Sequence, residues 1–439
     1  MRLTRHLPLT SLAAAIALAG QAQAQTEITI ATVNNNDMVI MQSLTDAFEE
    51  AHPDIALDWV VLEENVLRQR MTTDIATQGG QFDVMTIGTY EVPIWAERGW
   101  LTPLDDLPAD YQVDDLLTSV RDGLSNDGTL HALPFYGESS MMYYRQDLFD
   151  AAGIEVPEQP SWEEVRDWAG QLHDPEAQRA GICLRGKPGW GENMALVSTL
   201  VNTFGGRWFD EDWQPQLDSP EWQEAIQFYV DLLNDYGPPG ASSNGFNENL
   251  ALFSRGSCAI WVDATSAAGK LYDPGESDVA DRLGFAPAPV ARTPKGSHWL
   301  WSWALAIPAT SEHQQAARTF IQWATSPEYI ELVGDTRGWT SVPPGTREST
   351  YANEHYQEAA PFAGFVLEAM RSADPTDSTL EPSPYVGVQF VGIPEFQSIG
   401  TQVGQTVASA LTGDATVEQA LQSAQRATQR AMQRAGYLD

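Results

Sequence analysis

The sequence predicts a two-domain α/β protein, and three of its features lead to that prediction. Its length of 439 residues exceeds what one hydrophobic core usually supports. Short apolar runs alternate with amphipathic ones, which is typical of open, largely parallel sheets covered by helices. No long low-complexity linker separates the two halves, so we expect more than one crossing of the chain between them.

The first 24 residues have the pattern of a secretory signal peptide. Arg2 and Arg5 precede an apolar run that ends in the cleavage motif "AQA" at residues 22–24. No cysteine precedes Cys183, so this segment offers no site for a lipid anchor. We therefore predict an exported protein, most simply in a bacterial periplasm, with the signal peptide (1–24) cleaved near Ala24.

The segment that follows predicts three strands separated by two helices. The strands are "EITIATV", "IALDWVVL" and "FDVMTIG", and the helices are "MQSLTDAFEEAH" and "VLRQRMTTDIAT". Ligands bind beyond the carboxyl ends of the strands in such sheets, so Asn34 and Asn35 after the first strand and Tyr90 after the third are candidate site residues. Asp83, inside the third run, either reaches that site or caps a neighbouring loop.

The rest of the chain predicts a second strand and helix series. "TLHALPFYGESSMMYYR" predicts two extended runs with a turn-like "YGES" between them. Helices are predicted at "SWEEVRDWAGQLH", "MALVSTLVNTFGG" and "SPEWQEAIQFYVDLLNDYG", and strands at "GICLRG" and "CAIWVD". "WLWSWALAIPAT" predicts a buried strand before the helix "SEHQQAARTFIQWAT". The last helix, from about Val417 to Arg434, starts with a capping box formed by Thr416 and Gln419.

The charge of the chain excludes two classes of partner. Sixty acidic residues against 24 basic ones give a formal net charge of −36, and only three of the basic residues are lysines. Such a surface repels nucleic acid and anionic membranes, so we expect neither as a partner. We interpret the charge as an adaptation to a salty medium in preference to a specific use of it.

Motifs for cofactor chemistry are missing or incomplete. Gly181, Gly186 and Lys187 have the spacing of a phosphate-binding loop, but Pro188 stands where that loop needs Ser or Thr. The histidines show no H-x-x-x-H spacing, and we expect neither a metal nor a cofactor. Cys183 and Cys258 predict either one disulfide or two buried thiols.

Aromatic rings beside polar planar groups, in loops after strands or before helices, predict a ligand site. An aromatic face packs against C–H surface, while carboxylate, amide and guanidinium groups pair with hydroxyls. The pattern therefore favours a neutral polyhydroxylated ligand and no catalysis. The residues that carry it are Tyr136, Glu138, Trp190, Glu192, Asn193, Trp208, Asp263, Trp301 and Arg337.

Alternatives to this interpretation remain at this stage. Aromatic rings with acids also bind cations such as polyamines, although Arg185 and Arg337 would disfavour a cation if they line the site. A carbohydrate-acting enzyme with two carboxylates is the competing class, because some pair among 60 acidic residues will have a suitable distance. Four tryptophans at helical spacing are expected in the core instead: Trp162, Trp168, Trp222 and Trp323.

The order of segments resembles the extracellular solute-binding proteins of carbohydrate ABC transporters. The resemblance rests on "EITIATVNNND", "LPFYGESSMMYYRQDLF" followed by "PSWEEV", "GSCAIWVDATSAAG" and the closing "TVEQALQSAQRATQRA", and it covers essentially the whole mature chain. "RGKPGWGEN", "WVDATSAAG" and "RGWTSVP" are most similar to the branch of the family that binds the linear polyols sorbitol and mannitol.

The resemblance implies a type II periplasmic binding protein fold, in which two α/β lobes close on a ligand about a hinge of several crossings. It places the crossings near residues 136–138, 297–299 and 342–345. Lobe I would comprise residues 25–137 and 299–343, and lobe II residues 138–298 and 344–439.

The resemblance also implies a function and its parts. Trp190 would stack on the ligand while Glu192 and Asn193 bind its hydroxyls, and Phe396 matches a position where related proteins place an aromatic wall. The cleft would also be lined by Asn34, Asn35, Tyr90, Glu138, Asp263, Trp301 and Arg337. The expected partners are a small polyol, or alternatively another mono- or disaccharide, and the membrane permease of an ABC transporter. A monomer is expected.

Overall fold

The computed structural model describes residues 25–439, and the predicted signal peptide lies outside the described residues. The strands are β1 (Thr26–Val33), β2 (Ile55–Leu62), β3 (Val84–Gly88), β4 (Ser125–Asn126), β5 (Thr129–Leu130), β6 (Ala132–Glu138), β7 (Ser140–Arg145), β8 (Ala180–Cys183), β9 (Cys258–Ala264), β10 (Leu283–Pro287) and β11 (Trp301–Ala306).

The helices cover both sheets. They are α1 (Asn36–Gln42), α2 (Thr45–Ala51), α3 (Glu64–Ala76), α4 (Glu91–Glu97), α5 (Thr118–Gly123), α6 (Gln146–Ala152), α7 (Trp162–Leu172), α8 (Asn193–Thr203), α9 (Pro220–Tyr236), α10 (Phe246–Ser254), α11 (Ala268–Leu271), α12 (Gln314–Ala324), α13 (Pro327–Arg337), α14 (Glu348–Ala352), α15 (Glu354–Ala359), α16 (Ala363–Ser372), α17 (Phe396–Leu411) and α18 (Val417–Ala435).

Two sheets define two lobes. The first sheet has the order β2-β1-β3-β11-β6, and the second has the order β10-β7-β9-β8. β1 pairs in parallel with β2 and β3, and β8 pairs in parallel with β9. One strand in each sheet runs against the others: β11 in the first and β7 in the second. Both reversed strands are the ones that enter directly from the other sheet. The predicted α/β architecture is confirmed, but both sheets are mixed, because each reversed strand pairs antiparallel with both of its neighbours.

The chain passes between the sheets without turning back. A single residue, Ser139, separates β6 of the first sheet from β7 of the second, so the prediction of a turn at "YGES" is wrong. The backbone stays extended because each strand finds its partners in a different sheet. A second passage connects β10 to β11.

A third segment packs against the first passage through two glycines. The Gly137 amide donates to the Pro344 carbonyl at 2.8 Å. A Cβ atom on Gly137 would lie 2.4 Å from the carbonyl oxygen of Gly345, so a side chain there would push the two segments apart. The placement of the hinge near residues 136–138, 297–299 and 342–345 remains a prediction from the sequence.

The helices largely follow the sequence pattern, with one break. "MQSLTDAFEEAH" forms parts of α1 and α2 instead of one helix. The Ser43 hydroxyl donates to the Ile40 carbonyl at 2.6 Å, a local bond that competes with helix continuation. The capping box of α18 is confirmed, since the Gln419 amide donates to Thr416 Oγ1 at 3.2 Å and the bond is reciprocated.

Each lobe has a buried apolar core, and lobe II carries a disulfide. The Cys183–Cys258 bridge joins β8 to β9, with 6.0 Å between the Cα atoms. Trp162, Trp168 and Trp222 are buried in the core as expected, and Trp323 is partly buried against it. Among residues 25–439, no helix combines the length and apolarity that a membrane span requires.

Candidate ligand-binding site

A cavity of about 680 Å³ lies between the two sheets. Its walls come from both lobes: the loop after β1, the start of α3 and strand β11 on one side, and the loop before α8 together with α10 on the other. This volume is in the range of small-molecule sites. The cavity therefore lies where the carboxyl ends of the strands were expected to place a ligand.

Four tryptophans belong to the apolar part of the wall: Trp190, Trp299, Trp301 and Trp303. The rings of Trp190 and Trp301 meet edge to face, with centroids 5.8 Å apart, and those of Trp301 and Trp303 are 5.3 Å apart. Because β11 carries Trp301 and Trp303 while the loop before α8 carries Trp190, the aromatic wall spans both lobes.

Arg68 lies among these rings. Its guanidinium carbon is 4.0 Å from the centroid of Trp190 and 4.6 Å from that of Trp303. Arg68 Nε donates to Glu64 at 3.0 Å, and Nη1 donates to Glu91. Its remaining nitrogen, Nη2, has no hydrogen-bond partner among the described residues, and the residue lines the cavity. Arg68 therefore has a donor available for a ligand hydroxyl.

A second arginine forms the opposite wall. Arg185 Nη2 lies 2.6 Å from Asp263 Oδ1, and Arg185 Nη1 donates to the Gly191 carbonyl at 2.8 Å. Asp263 also accepts from the indole of Trp261 at 3.1 Å. Asp263 thus fixes the orientation of Arg185, which lines the cavity itself.

Two carboxyls in the cavity wall have a raised pKa. Burial raises the pKa of Glu138 to about 8, although the Ser266 hydroxyl, which donates at 2.6 Å, opposes the shift. Burial, followed by the nearby charge of Glu64, raises the pKa of Glu192, while Arg185 and Lys187 oppose that shift. A protonated carboxyl can donate to a hydroxyl as well as accept from one, so Glu138 suits a ligand with many hydroxyls.

The two lobes touch across the mouth of the cavity. Lys187 Nζ lies 2.5 Å from Glu63 Oε1. Asn247 Nδ2 donates to the Asn34 carbonyl at 2.9 Å. These contacts join the loop before α8 and the start of α10 to the loop after β1 and the start of α3. The structure is therefore that of a closed molecule.

The structure brings eight of the fourteen predicted site residues to the cavity wall. They are Asn34, Asn35, Tyr136, Glu138, Trp190, Glu192, Trp301 and Arg337. Asn35 and Tyr136 contact each other, because the Asn35 amide donates to the Tyr136 hydroxyl at 3.1 Å. Arg337 lies at the rim, where it donates to Ser43 Oγ at 2.7 Å.

The other six are not on the wall: Asp83, Tyr90, Asn193, Trp208, Asp263 and Phe396. Asp83 accepts from the Thr29 amide at 3.0 Å and from Ser311 at 2.6 Å, which is the capping alternative named above. Asn193 accepts from the Gly189 amide at 3.1 Å and so shapes the loop that carries Trp190.

The three aromatic residues of this set form layers behind the wall. The Tyr90 ring is 4.8 Å from the Trp190 ring, and the Phe396 ring is 6.1 Å from it. Trp208 packs behind Phe396 at 5.0 Å and is 1% exposed. These residues support Trp190 from behind.

Sequence reasoning missed several wall residues, among them Arg68, Lys187, Trp299 and Gln389. Arg68 left one signal: it stands between Leu67 and Met71 on the face of α3 that is buried. A basic residue on an apolar helix face needs partners, which here are Glu64 and Glu91.

Two α/β lobes with a cavity between them, lined by tryptophans and paired charges, are the architecture of a ligand-capturing binding protein. The sequence profile of the family described as "Bacterial extracellular solute-binding protein" matches residues 33–331. The chain belongs to this family, which confirms the resemblance and the two-lobed fold.

Named relatives support the family assignment. The chain is 61% identical over 401 residues to a mannitol-binding protein of Pseudomonas aeruginosa, covering 91% of this chain and 92% of the relative. A solute-binding protein from Agrobacterium vitis S4 with bound D-mannitol superposes with a TM-score of 0.92 at 57% identity, covering 93% of this chain and 99% of the other. A protein from Agrobacterium radiobacter K84 in complex with ribitol shares the fold, with a TM-score of 0.82 at 24% identity, covering 93% and 99% of the two chains.

Proposed function

We propose that this protein captures a neutral linear polyol of the mannitol and sorbitol class in the periplasm and delivers it to the permease of an ABC importer. The observation that carries the proposal is that three basic side chains of the cavity wall are each paired with carboxylates. Arg68 pairs with Glu64 and Glu91, Arg185 with Asp263, and Lys187 with Glu63 and Glu192. A charged ligand would have to break such pairs, whereas a neutral ligand can use their remaining donors and acceptors.

The aromatic wall suits the carbon chain of a polyol. Its carbon chain presents C–H groups that pack against the faces of Trp190, Trp299 and Trp301. The hydroxyls then meet Glu138, the free Nη2 of Arg68 and the carboxamide of Gln389. The Gln389 oxygen and the indole N–H of Trp299 have no partner among the described residues, so each has a hydrogen bond to offer.

Closure follows from where these groups lie. Arg68, Glu138 and the β11 tryptophans belong to one sheet or its loops, while Trp190, Arg185 and Glu192 belong to the other lobe. A ligand that touches both sets binds the closed form more tightly than the open form, and binding therefore shifts the equilibrium towards closure. The closed form is the species expected to dock, as a monomer, on the permease.

The proposal is supported by the mannitol named for the relatives at 61% and 57% identity. The arginines in the wall disfavour the polyamine alternative. A smaller cyclic sugar or a disaccharide is the nearest alternative within the same function. A carbohydrate-acting enzyme is the alternative outside it, and we propose instead that the chain performs no chemistry on its ligand.

Isothermal titration of the mature protein, stripped of ligand by unfolding and refolding, tests the proposal. We expect micromolar or tighter binding of mannitol or sorbitol, weaker binding of glucose and maltose, and none of spermidine. Chromatography of the incubated polyol should show no product. Binding of maltose or glucose alone would remove the polyol assignment and keep the transport function, whereas turnover of a glycan would make the protein an enzyme.

A further inference from the structure

Arg68 is paired with two carboxylates that differ in their access to a ligand. Glu91 is 2% exposed, does not line the cavity, and also accepts from the Gly88 amide at 3.0 Å. Glu64 lines the cavity, and its side chain is 16% exposed. A ligand that enters the cavity therefore meets the charge of Glu64, while Glu91 holds the arginine in place.

Glu64 and Arg68 leave one donor and one acceptor beside each other. Arg68 Nε donates to Glu64 Oε1 at 3.0 Å, and Glu64 Oε2 accepts no hydrogen bond from a described residue. Nε and Nη2 share one edge of the planar guanidinium, so the free Nη2 lies on the side of Arg68 that faces Glu64. The rings of Trp190 and Trp303, with centroids 4.0 and 4.6 Å from the guanidinium carbon, restrict the rotation of that plane. The donor and the acceptor are therefore held together in the closed form.

A ligand hydroxyl satisfies both of these atoms, whereas a carboxylate satisfies only the donor. The hydroxyl oxygen accepts from Arg68 Nη2 while its hydrogen is donated to Glu64 Oε2. An ionised carboxylate only accepts, so beside Glu64 it brings two acceptors and two negative charges together. Repulsion between charges that are partly removed from water is strong and weakly screened. Glu64 therefore distinguishes a hydroxyl from a carboxylate at the same position.

The other basic residues of the wall do not offer a carboxylate a better place. Three of them are paired with acids: Arg185, Lys187 and Lys270. All three guanidinium nitrogens of Arg185 donate to protein oxygens, so none is left for a ligand. Arg337 lies at the rim, where it donates to Ser43. The free Nη2 of Arg68 is therefore the donor that attracts an anion inside the cavity, and Glu64 lies beside it.

We propose that Glu64 is a specificity-determining residue that excludes sugar acids from the polyol cavity. Together with Arg68 it recognises a terminal hydroxyl of the polyol as an acceptor and a donor at once, and it repels the carboxylate of an oxidised chain end. The inference rests on the proposed function, because it concerns the same cavity and the same class of ligand. It adds a rule of selection: reduced, neutral chain ends are bound, and oxidised, anionic ones are rejected.

Titration calorimetry with a matched pair of ligands tests the inference. D-Mannarate carries a carboxylate in place of each terminal hydroxymethyl group of mannitol, so either orientation presents a carboxylate to Glu64. Wild type should prefer mannitol over mannarate by about a hundredfold or more. Glu64→Gln keeps an oxygen for Arg68 Nε and removes the charge, so the preference should fall by about tenfold or more, mainly through tighter binding of mannarate. The fall should persist in about 0.5 M sodium chloride, because partly buried charges are weakly screened.

Glu50→Gln is the matched control. Glu50 is an exposed acid of α2 in the same lobe and does not line the cavity, and its substitution changes the net charge by the same amount. This variant should keep the preference of the wild type. Glu64→Asp, which retains the charge, should also keep rejecting mannarate, even where its binding of mannitol is weaker.

Three results would overturn the inference. A preference in Glu64→Gln within about threefold of wild type would show that the Glu64 charge does not select the ligand. The same fall in Glu50→Gln would assign the preference to the overall charge. Equal binding of mannarate and mannitol by wild type would show that sugar acids are not excluded. If Glu64→Gln does not fold, Glu64→Ala carries the same comparison.

The same titrations separate this inference from the proposed function. A wild type that binds no polyol contradicts the proposed function, and the inference fails with it. A wild type that binds mannitol, with an unchanged preference in Glu64→Gln, removes the inference alone and leaves the proposed function standing.

Discussion

Trp190 should matter for ligand affinity far more than for folding. The ring belongs to lobe II, but three of its contacts reach lobe I: Arg68 at 4.0 Å, Tyr90 at 4.8 Å and Trp301 at 5.8 Å. We expect these contacts to be lost when the lobes open. Replacing Trp190 with alanine should therefore destabilise the closed form more than the open form.

The size of the effect follows from those contacts. A desolvated cation–π contact contributes about 2 kcal/mol, and each aromatic pair about 0.5 to 1.5 kcal/mol. Together they stabilise closure by roughly 3 kcal/mol, so Trp190→Ala should weaken polyol binding about a hundredfold. Loss of a direct stacking contact with the ligand would add to this figure.

Titration calorimetry combined with thermal unfolding measures both sides of the prediction. Trp162→Phe is a matched control for Trp190→Phe, because Trp162 is buried in α7 of lobe II, packs against Phe228 and does not line the cavity. The control should lower Tm and leave Kd unchanged, while Trp190→Phe should weaken binding. An affinity for mannitol within about threefold of wild type in folded Trp190→Ala would refute the reasoning.

Three further predictions concern a carboxyl, a glycine contact and the disulfide. Burial raises the pKa of Glu138 from its ordinary 4.5 to about 8, so between these pH values the folded protein holds a proton that the unfolded chain releases. The contribution of Glu138 to stability is therefore lost as pH rises from about 4.5 to 8. Glu138→Gln should flatten that part of a plot of Tm against pH. Gly137→Ala would place a Cβ atom 2.4 Å from the Gly345 oxygen and push the two segments apart. It should weaken polyol binding at least tenfold and enlarge the radius of gyration of the liganded protein in X-ray scattering. An unchanged Kd would show that the two segments separate freely. The double variant Cys183→Ser with Cys258→Ser should lower the free energy of unfolding by about 2 to 4 kcal/mol without changing Kd, because the bridge lies within one sheet; denaturant unfolding with titration of mannitol checks both.

The fold was largely predictable because its signals are local. Strand β2 was predicted with its observed bounds, and α18 was predicted from its capping box and apolar spacing. The passage at Ser139 was not predictable from the "YGES" pattern, because polar and small residues favour a turn in isolation. Only the pairing of β6 and β7 with different sheets keeps that segment straight.

The candidate site was predictable only in part, for a related reason. The loop around Trp190 stands out because a Gly-flanked tryptophan beside acids has no simple role in a core. Sequence alone does not tell whether a polar residue contacts the ligand itself or only positions another residue that contacts the ligand. Asp263 and Asn193 fall in the second group, since they orient Arg185 and shape the loop carrying Trp190. Arg68 was missed because basic residues on helices usually face solvent.

A crystal structure of the mannitol complex tests the central claim most directly. The account predicts one mannitol in the cavity between the lobes, with its carbon chain against Trp190 and Trp301 and its hydroxyls within hydrogen-bond distance of Glu138 and Arg68 Nη2. The lobes should be closed as they are here, with the Lys187–Glu63 contact intact. Mannitol bound outside this cavity, or an empty cavity at saturating mannitol, would contradict the account.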